Sequence, residues 1–405
     1  MNSTAIIGAG ASGMFCAANL DSGAEIFDAQ PAPMKKLLLT GGGRCNFTNL
    51  NIDGGDLRRF YPRGANSLRK CFGRFSAKDA AEFFGRLGVP SKEEDEGRLF
   101  PVSDKSSDIA DALLAESLRR GCKIHTSMSV AALERCNGGF RLSFADSSVC
   151  EFKNVVVAVG GTWGAALRRG IENMGHSFAE SLPSLFALKT REAGGKFFRS
   201  GVSVPDAVVS AKFGKAEISG RGALLFTHFG ISGPAVLKFS SFAARELAKC
   251  GYNLSVKINF LPRLPVEDIL AAFVVARRDA AKKFLKNFCP FDIPDALWLP
   301  ILDISGVPWN SIYAELSRAQ SAEIARNLHS FECGVSGRAA AGSEFVMCGG
   351  LECKNVDFST MQSRRVAGLF FLGECLDIDG ITGGFNLQAA WSTAKVCADF
   401  INSGK

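Results

Sequence analysis

The fold is decided by residues 5–20, which read AIIGAGASGMFCAANL. A short apolar run leads into Gly8, Gly10 and Gly13 in the G-x-G-x-x-G spacing, and an apolar-periodic stretch follows. In such a unit the first glycine makes the tight turn, the second lets a pyrophosphate approach the backbone, and the third lets the helix pack closely on the strand. The pattern predicts a βαβ unit that binds a dinucleotide.

A second apolar run and an acidic residue complete this unit. Residues 24–30 read AEIFDAQ and place Asp28 at the end of a predicted strand, twenty residues after Gly8. A carboxylate at this distance accepts a ribose hydroxyl of a dinucleotide. Strand, glycines, helix, strand and acid in this order indicate nucleotide binding more strongly than an isolated glycine motif does, but they do not distinguish NAD from FAD.

Two later segments favour FAD. Residues 154–164, NVVVAVGGTWG, predict a buried parallel strand that ends in Gly160 and Gly161, at the edge where open α/β sheets bind their ligands. Residues 368–401 predict a strand, a loop and a long helix, whose N-terminus can stabilise negative charge on a reduced flavin ring. Because residue 8 and this segment stand at opposite ends of the chain, the middle is predicted to be an insertion.

Five blocks of the chain resemble the HI0933-like flavoprotein family. They are GAGASG (8–13), LLLTGGGRCNFTN (37–49), GRLFPVSDKSSD (97–108), LLFTHFGISGPAVL (224–237) and LGECLDIDGITGGFNLQAAWS (372–392). The resemblance implies an α/β fold, in which a Rossmann-like FAD-binding domain is interrupted by a small antiparallel β-domain and a small helical domain. It also implies an FAD-dependent oxidoreductase, since members have been assigned to bile-acid metabolism and as dihydrouridine synthases of large-subunit ribosomal RNA.

The domain boundaries follow from changes in the hydrophobic pattern. Short alternating segments separated by Gly and Pro predict the β-domain, and helical periodicity predicts the helical one. The predicted domains are the first part of the FAD-binding domain (1–187), the inserted β-domain (188–262), the inserted helical domain (263–330) and the second part of the FAD-binding domain (331–405). Residues 332–352 are glycine-rich and predict a loop on the substrate side.

Residues 40–49, TGGGRCNFTN, predict a loop that lies against the cofactor. Consecutive glycines cost backbone entropy, and a loop that approaches a ligand closely requires them. Arg44 could pair with a phosphate or a substrate anion and Asn46 with a ring heteroatom, although both could merely fix the loop. The full set of candidate FAD-binding residues is Gly8, Gly10, Ala11, Ser12, Gly13, Asp28, Lys36, Gly42, Gly43, Arg44, Cys45, Asn46, Val130, Gly160, Gly161, Gly373, Glu374, Asp379, Gly383, Gly384, Asn386 and Leu387.

Two side chains are candidate catalytic proton donors. Reduction of uracil across C5–C6 takes a hydride from a flavin and a proton from a general acid. Cys45 lies in the glycine loop, where a thiol could protonate carbon, but it could equally be a small buried residue. His228 lies in the turn-rich segment THFGISGP (227–234), where an imidazole could donate a proton near neutral pH. The alternative for His228 is a hydrogen-bonded structural histidine.

The formal net charge of +7 permits a nucleic-acid partner without requiring one. If residues 266–288 form one helix, Arg278, Lys282 and Lys286 share a face that could follow RNA phosphates, or that is simply a solvated surface. Arg98 and Lys105 could clamp an anionic substrate or pair with the acidic run before them. Together, Arg98, Lys105, Arg278 and Lys282 are the candidate substrate-binding residues.

Three functions remain open at this stage: reduction of a ribosomal RNA uridine, reduction of a small enone or steroid-like compound, and RNA binding by a flavoprotein without turnover. NAD(P)H is a candidate reductant, although the chain has no second G-x-G-x-x-G unit. We expect no metal, because the thirteen cysteines show no paired spacing, and no DNA partner. The lack of an apolar span or signal peptide and the odd cysteine count predict a cytoplasmic protein without a membrane partner.

Overall fold

The amino-terminal apolar run forms an interior strand of a mixed sheet in the computed structural model, which describes residues 2–191, 198–339 and 346–404. By its contacts the chain divides into a first unit, Met1–Leu182 with Val346–Lys405, and a second unit, Pro183–Phe345. The predicted fold class, an α/β domain interrupted by a small β part and a small helical part, is confirmed.

The amino-terminal part of the first unit alternates strands with helices. Its strands are β1 (Asn2–Ile7), β2 (Glu25–Phe27), β3 (Thr48–Asn49), β4 (Ser91–Glu94), β5 (Arg98–Pro101), β6 (Lys123–His125), β7 (Val130–Cys136), β8 (Gly139–Phe144), β9 (Val149–Val157) and β10 (Phe178–Ser184). Its helices are α1 (Ala11–Ala17), α2 (Lys35–Leu39), α3 (Ala65–Phe72), α4 (Ala77–Arg86), α5 (Ser106–Arg119) and α6 (Ala165–Asn173).

The sheet of this unit is built around β1, which pairs in parallel with β2 on one side and with β9 on the other. Strand β6 lies beyond β2, and the antiparallel strands β8 and β7 continue from β9. Ala5 and Ile6 of β1 and residues 155–157 of β9 have no exposed surface. Burial on both faces explains why residues 5–7 and 155–157 read as continuous apolar runs.

The second unit is an antiparallel barrel with helices. Its strands are β11 (Leu188–Thr190), β12 (Ser203–Phe213), β13 (Ala216–Phe226), β14 (Gly230–Ser232), β15 (Leu254–Asn259) and β16 (Phe331–Arg338). Its helices are α7 (Pro234–Phe242), α8 (Ala244–Lys249), α9 (Val266–Asp279), α10 (Asp295–Ile304) and α11 (Arg318–His329). In the described part of the chain, the barrel closes in the order β11, β14, β13, β12, β15, β16.

The chain returns to the first unit through β17 (Val346–Leu351), β18 (Val356–Asp357), β19 (Gln362–Ser363), β20 (Leu369–Phe371) and α12 (Phe385–Asn402). Strand β20 pairs in parallel with β9, so that nine of the described strands form one sheet. Helix α12 packs on α1, where the rings of Trp391 and Phe15 have centroids 5.1 Å apart and the Asn402 amide donates to the Asn19 carbonyl at 2.9 Å. Both ends of the chain therefore share one core.

The return to the first unit occurs later than the predicted boundary at residue 331. Strand β16 pairs with β11 and β15, because the barrel needs a sixth strand to satisfy both of their free edges. Part of the predicted substrate-side loop, residues 340–345, lies outside the described residues.

The long helix predicted over residues 266–288 is wrong in its second half, because α9 ends at Asp279. The backbone beyond it pairs with a later segment, as the Leu285 N–H donates to the Ser311 carbonyl at 3.0 Å. This pairing takes the backbone groups that would have continued the helix. Helical periodicity alone could not reveal it.

Among the helices of the described residues, none is both long and apolar enough to cross a membrane. All thirteen cysteines fall within the described ranges, and none of them forms a disulfide there. Across the same ranges, no three His, Cys, Asp or Glu side chains are grouped so as to hold a metal ion.

Candidate functional site

Three glycine-containing turns meet at the carboxyl edge of the first unit's sheet. Ile7, Val157 and Phe371 lie at one level of three adjacent parallel strands, since Val157 is in register with both of the others. The turns that follow them are the glycine motif, the glycine pair and the Gly-Glu step predicted to hold the cofactor. Segments from both ends of the chain thus come together where open α/β sheets bind ligands.

Close backbone contacts dictate two of the three motif glycines. A Cβ atom at Gly13 would lie 1.9 Å from the Gly8 carbonyl oxygen, and one at Gly8 would lie 2.4 Å from the Ala158 carbonyl oxygen. At Gly10, in contrast, a Cβ atom would meet no atom within 4 Å. The space in front of Gly10, where Ala11 begins α1, is open for the pyrophosphate that the motif predicts.

The Asp28 carboxylate is held at the end of β2 by two backbone donors. The N–H groups of Ala9 and Gln30 donate to it at 2.6 and 2.7 Å. The Asp28 carbonyl accepts from the Met128 N–H at 2.8 Å, which holds the chain two residues before Val130, the first residue of β7, beside Asp28. Asp28 is half-buried, so part of its surface remains open to a ligand.

Glu374 faces the glycine pair after β9. A Cβ atom at Gly161 would lie 2.9 Å from its Oε1, which also accepts the Met347 N–H at 3.0 Å. Lys36 Nζ lies 4.0 Å from Glu374 Oε2, on a side chain that is 73% exposed. Lys36, Gly161 and Glu374, which the sequence predicted from three separate segments, therefore lie together.

Gly373 lies directly against α1. A Cβ atom at Gly373 would lie 3.0 Å from Ser12 Oγ, and its N–H donates to Thr393 Oγ1 at 3.1 Å. Gly373 and Gly160 have φ angles of +63° and +76°, in the left-handed region where side chains are disfavoured. Both turns thus keep the backbone bare at this edge.

The glycine loop forms a single turn over residues 40–43. Gly41, Gly42 and Gly43 have φ angles of +58°, +68° and +87°, which explains why three glycines occur in succession. A Cβ atom at Gly42 or Gly43 would meet no atom within 4 Å. The loop therefore presents an open backbone surface, which fits the predicted contact with a ligand.

Arg44 points to the protein's own carboxylates. Its guanidinium donates to Asp104 at 2.6 and 2.9 Å and to Glu94, and it lies 4.2 Å from the Phe100 ring centroid. These bonds, chiefly the one to Glu94, raise the pKa of Arg44, while Lys92 and then Arg44 hold the pKa of Asp104 below its usual value. This arrangement favours the alternative in which Arg44 fixes the loop.

Asn46 connects the glycine loop to the start of α12. In the amide orientation that satisfies its neighbours, it donates to the Thr48 carbonyl at 3.0 Å and accepts from the Gly384 N–H at 3.3 Å. Asn49 donates to the Gly383 carbonyl at 3.0 Å. The bonds join two segments predicted to contact the cofactor, and they leave Asn46 with a positioning role.

Cys45 has no exposed surface. Burial raises the pKa of its thiol to about 11, and its backbone N–H donates to the Thr40 carbonyl at 3.0 Å. A side chain enclosed by protein in this way cannot touch a flavin or a substrate. The geometry supports the small buried residue that the sequence left as the alternative.

Two candidates around the start of α12 are also held by protein groups. Asp379 is fully buried and forms a two-point ion pair with Arg63. The Asn386 amide both donates to the Gly380 carbonyl and accepts from the Gly380 N–H, each at 2.8 Å. These contacts fix the loop before α12, whereas Leu387, in the first turn of the helix, stays half-buried.

The substrate candidates are dispersed. His228 lies on the exposed turn between β13 and β14 in the second unit, and within the described residues its ring has no hydrogen bond. In the first unit, Arg98 Nε donates to the Asp95 carbonyl at 2.9 Å rather than to a carboxylate. The exposed Lys105 forms no ion pair with any carboxylate that the structure describes.

Arg278, Lys282 and Lys286 do not share a helical face, because α9 ends before the two lysines. The Arg278 guanidinium pairs with Asp279 at 2.6 Å. Lys282 and Lys286 are exposed, and neither forms an ion pair with a described carboxylate. The two lysines thus remain available to a ligand, whereas Arg278 is already paired.

The sequence did not reveal which charged residues form ion pairs with two of the candidate cofactor-binding residues. Glu94 and Asp104 hold Arg44, and Arg63 holds Asp379. The acidic run before residue 97 was a signal for the first pair, although it was assigned to Arg98 and Lys105. No sequence pattern pointed to Arg63 as the partner of Asp379.

Comparison with known proteins gives full-length matches. The family model described as HI0933-like protein Rossmann domain matches residues 2–400. The chain is 31% identical over 412 residues to the ribosomal RNA dihydrouridine synthase of Haemophilus influenzae, covering 97% of this chain and 96% of the relative. Its identity to the 3-dehydro-bile acid delta(4,6)-reductase of Clostridium scindens is also 31%, over 408 residues and 97% of each chain.

A relative from Escherichia coli, also named ribosomal RNA dihydrouridine synthase, is 31% identical over 99% of this chain and 98% of its own. Among solved structures, the 3-ketosteroid delta1-dehydrogenase of Sterolibacterium denitrificans, in complex with 1,4-androstadiene-3,17-dione, matches with a TM-score of 0.53. That match covers 100% of this chain and 99% of the other at 11% identity, so it concerns the fold alone.

Proposed function

The chain belongs to the HI0933-like family and is an FAD-dependent oxidoreductase, and on this premise we propose its substrate. The proposed reaction is the reduction of a uridine of large-subunit ribosomal RNA to dihydrouridine. Two relatives that match nearly the whole chain are named ribosomal RNA dihydrouridine synthase. The structural observation that carries the choice of RNA is a group of unpaired lysines among exposed aromatic rings in the second unit.

This group, the lysine–aromatic segment, comprises Lys282, Lys283, Phe284, Lys286 and Trp309. Phe284 and Trp309 are 42% and 41% exposed, and the Lys286 N–H donates to the Trp309 carbonyl at 3.2 Å, which joins their two chain segments. Within the described residues, none of the three lysines pairs with a carboxylate. Exposed rings that stack on bases, beside cations that contact phosphates, are the usual elements of single-stranded RNA binding.

The residues that would hold FAD are those at the carboxyl edge of the first unit's sheet. The open backbone at Gly10 would face the pyrophosphate, and the half-buried Asp28 would accept a ribose hydroxyl. The bare turns at Gly160 and Gly373, together with Gly42 and Gly43, would leave room for the rest of the cofactor. FAD, when bound, supplies the hydride.

The protein's own contribution to the reaction is to place the uracil and to provide a proton. We assign the proton to His228 rather than to Cys45, because the imidazole is exposed and free of hydrogen bonds within the described residues, whereas the thiol is enclosed. Addition of a hydride to one carbon of the C5–C6 double bond and of this proton to the other gives dihydrouridine. NAD(P)H is the proposed source of the electrons.

The test is nucleoside mass spectrometry of ribosomal RNA from cells with and without the gene. We expect loss of a dihydrouridine, restored by the intact chain but not by Gly10→Ala, which should fold without retaining FAD. Unchanged dihydrouridine in cells without the gene would contradict the proposal.

A second candidate function is reduction of a small unsaturated carbonyl compound. The Clostridium scindens bile acid reductase is as similar to this chain as the relatives named for ribosomal RNA are, so it supports this alternative to the same degree. Turnover of a steroid-like enone by the purified holoenzyme, with unchanged dihydrouridine in the cells, would select it.

A further inference from the structure

A concave groove lies between β7 and α6 on the first unit. Its volume is about 730 Å³, within the range of ligand sites, and its walls include residues 131–135, several residues of α6 and Arg365. The close approach of the two elements depends on Gly170, where a Cβ atom would lie 2.8 Å from the Leu133 carbonyl oxygen. The groove is therefore set by the backbone packing of β7 on α6.

Three arginines from different elements line this groove: Arg135 on β7, Arg169 on α6, and Arg365 after β19. All three are exposed, and none of them forms an ion pair with a carboxylate in the described parts of the chain. The stem of Arg365 packs over Gly175, where a Cβ atom would lie 3.4 Å from Arg365 Cδ. Glu134 is the one acidic side chain among the lining residues, so the groove carries an excess of positive charge.

Neighbouring arginines of the same unit behave differently. Arg141 pairs with Glu151 at 2.9 Å, and Arg168 pairs with Glu172 at 2.8 Å. Unpaired guanidinium groups that face one concavity repel each other, and a bound polyanion would relieve this repulsion. Guanidinium groups suit phosphates in particular, since their planar donors match two phosphate oxygens at once.

The other lining residues decide which phosphate ligand fits. Apart from the charged side chains, the described lining consists mainly of glycine and aliphatic residues such as Ala131, Ala166, Met174 and Val366, and it contains no aromatic ring on which a base could stack. A mononucleotide or dinucleotide would find charge here but little to hold its base. A nucleic-acid backbone needs only the charge, because phosphate contacts position a strand without reading its bases.

We propose that the arginine groove, formed by Arg135, Arg169 and Arg365, binds the phosphodiester backbone of the ribosomal RNA substrate. The proposal rests on the proposed function and extends it, because it gives the first unit an RNA contact of its own. Three phosphates neutralised by the groove would release counterions, which makes its contribution dependent on salt.

The experiment compares two triple variants in the FAD-loaded protein. Arg135→Gln, Arg169→Gln and Arg365→Gln remove the groove's charges, while Arg119→Gln, Arg141→Gln and Arg168→Gln remove three paired charges from the same unit as a control. Affinity for a large-subunit ribosomal RNA fragment is measured by fluorescence anisotropy over a range of salt concentrations. The groove variant should bind the RNA about tenfold or more weakly than the wild type. The slope of the logarithm of the association constant against the logarithm of the salt concentration should become shallower by about 2 for single-stranded contacts. The control should keep nearly the wild-type slope.

Each other outcome overturns the proposal. Equal losses of RNA affinity in both triple variants would mean that binding depends on the net charge and not on the groove. If the wild type does not bind the RNA, the RNA is not the ligand of the groove. A raised KM for NADPH with unchanged RNA affinity would assign the groove to dinucleotide phosphates. Failure of the proposed function has a different readout. In that case dihydrouridine is unchanged in cells without the gene, while the purified protein still binds RNA through the groove.

Discussion

The Gly8 carbonyl oxygen lies so close to Gly13 that a methyl group on Gly13 would be 1.9 Å from it. Gly10 lies between them with a φ of −82°, an ordinary value for any residue, and a methyl group there would meet no atom within 4 Å. The two outer glycines of the motif are thus required by the fold, whereas the middle one is required only if a ligand occupies the space in front of it.

We therefore expect Gly13→Ala and Gly10→Ala to fail in different ways. Gly13→Ala should lower the melting temperature of the apoprotein, because α1 must move off β1. Gly10→Ala should leave the apoprotein as stable as the wild type and still lose FAD, because its methyl group takes the space of the pyrophosphate. Calorimetry of the apoproteins and flavin absorbance of the purified proteins measure the two effects. Normal flavin content in Gly10→Ala would mean that the cofactor does not lie there.

The ion pair between Arg63 and Asp379 should contribute strongly to stability, because the Asp379 side chain is fully buried and that of Arg63 is 10% exposed. Arg63→Met or Asp379→Asn removes one side of this buried ion pair, and each should lower the free energy of unfolding by about 3–5 kcal/mol. The double variant Arg63→Met with Asp379→Leu should recover much of this loss. Urea denaturation of the apoproteins measures these values.

The control for this pair is Arg58 with Asp56, whose side chains are 73% and 42% exposed. Arg58→Gln should not change the denaturation midpoint measurably, since solvent screens the exposed charges. Similar effects at both pairs would contradict the assignment of Asp379 to the buried core.

Cys45 should make the protein less stable in alkali. Its folded pKa, about 11, is above the ordinary value of a thiol, so the unfolded chain loses this proton first as the pH rises. The stability from the protonated Cys45 is complete below the ordinary thiol pKa and is lost as the pH rises towards about 11. The free energy of unfolding of the wild type should therefore fall more steeply than that of Cys45→Ala over this interval. Parallel curves would contradict the prediction.

His228 and Cys45 should also differ in their effects on turnover. His228→Gln should lower kcat by about 10²-fold or more if the imidazole donates the proton. Cys45→Ala should retain a kcat near that of the wild type, because the thiol has no exposed surface. Single-turnover reoxidation of the reduced flavin by the RNA substrate measures the step directly. A larger loss in Cys45→Ala than in His228→Gln would reverse the assignment.

The meeting of the three glycine turns could be predicted from the sequence because it depends on local patterns and one topological rule. Each turn follows an apolar run, and the carboxyl ends of parallel strands share one edge of the sheet. The loop at Gly42 and Gly43 could likewise be predicted, because consecutive glycines indicate a backbone conformation that other residues disfavour. Their φ angles do lie in the left-handed region.

The partners of the charged side chains could not be predicted in the same way. Arg44 finds Glu94 and Asp104, which are 50 and 60 residues away in sequence, only because strands β3, β4 and β5 pair. The end of α9 is a similar case, because the pairing that stops the helix comes from around residue 311. Both outcomes depend on tertiary contacts that hydrophobic periodicity does not contain.

The amide of Asn402 donates to the carbonyl of Asn19, 383 residues earlier in the chain. A ribosome that makes this protein therefore releases β1 and α1 long before α12, which completes their core, has been synthesised. The second unit is translated in between and contains all of its own barrel strands. It can therefore fold before α12 is available to complete the core of the first unit. Flavin loading should accordingly be among the last events of the protein's biogenesis, and a chain cut short before α12 should leave the ribosome with a finished barrel and no place for its cofactor.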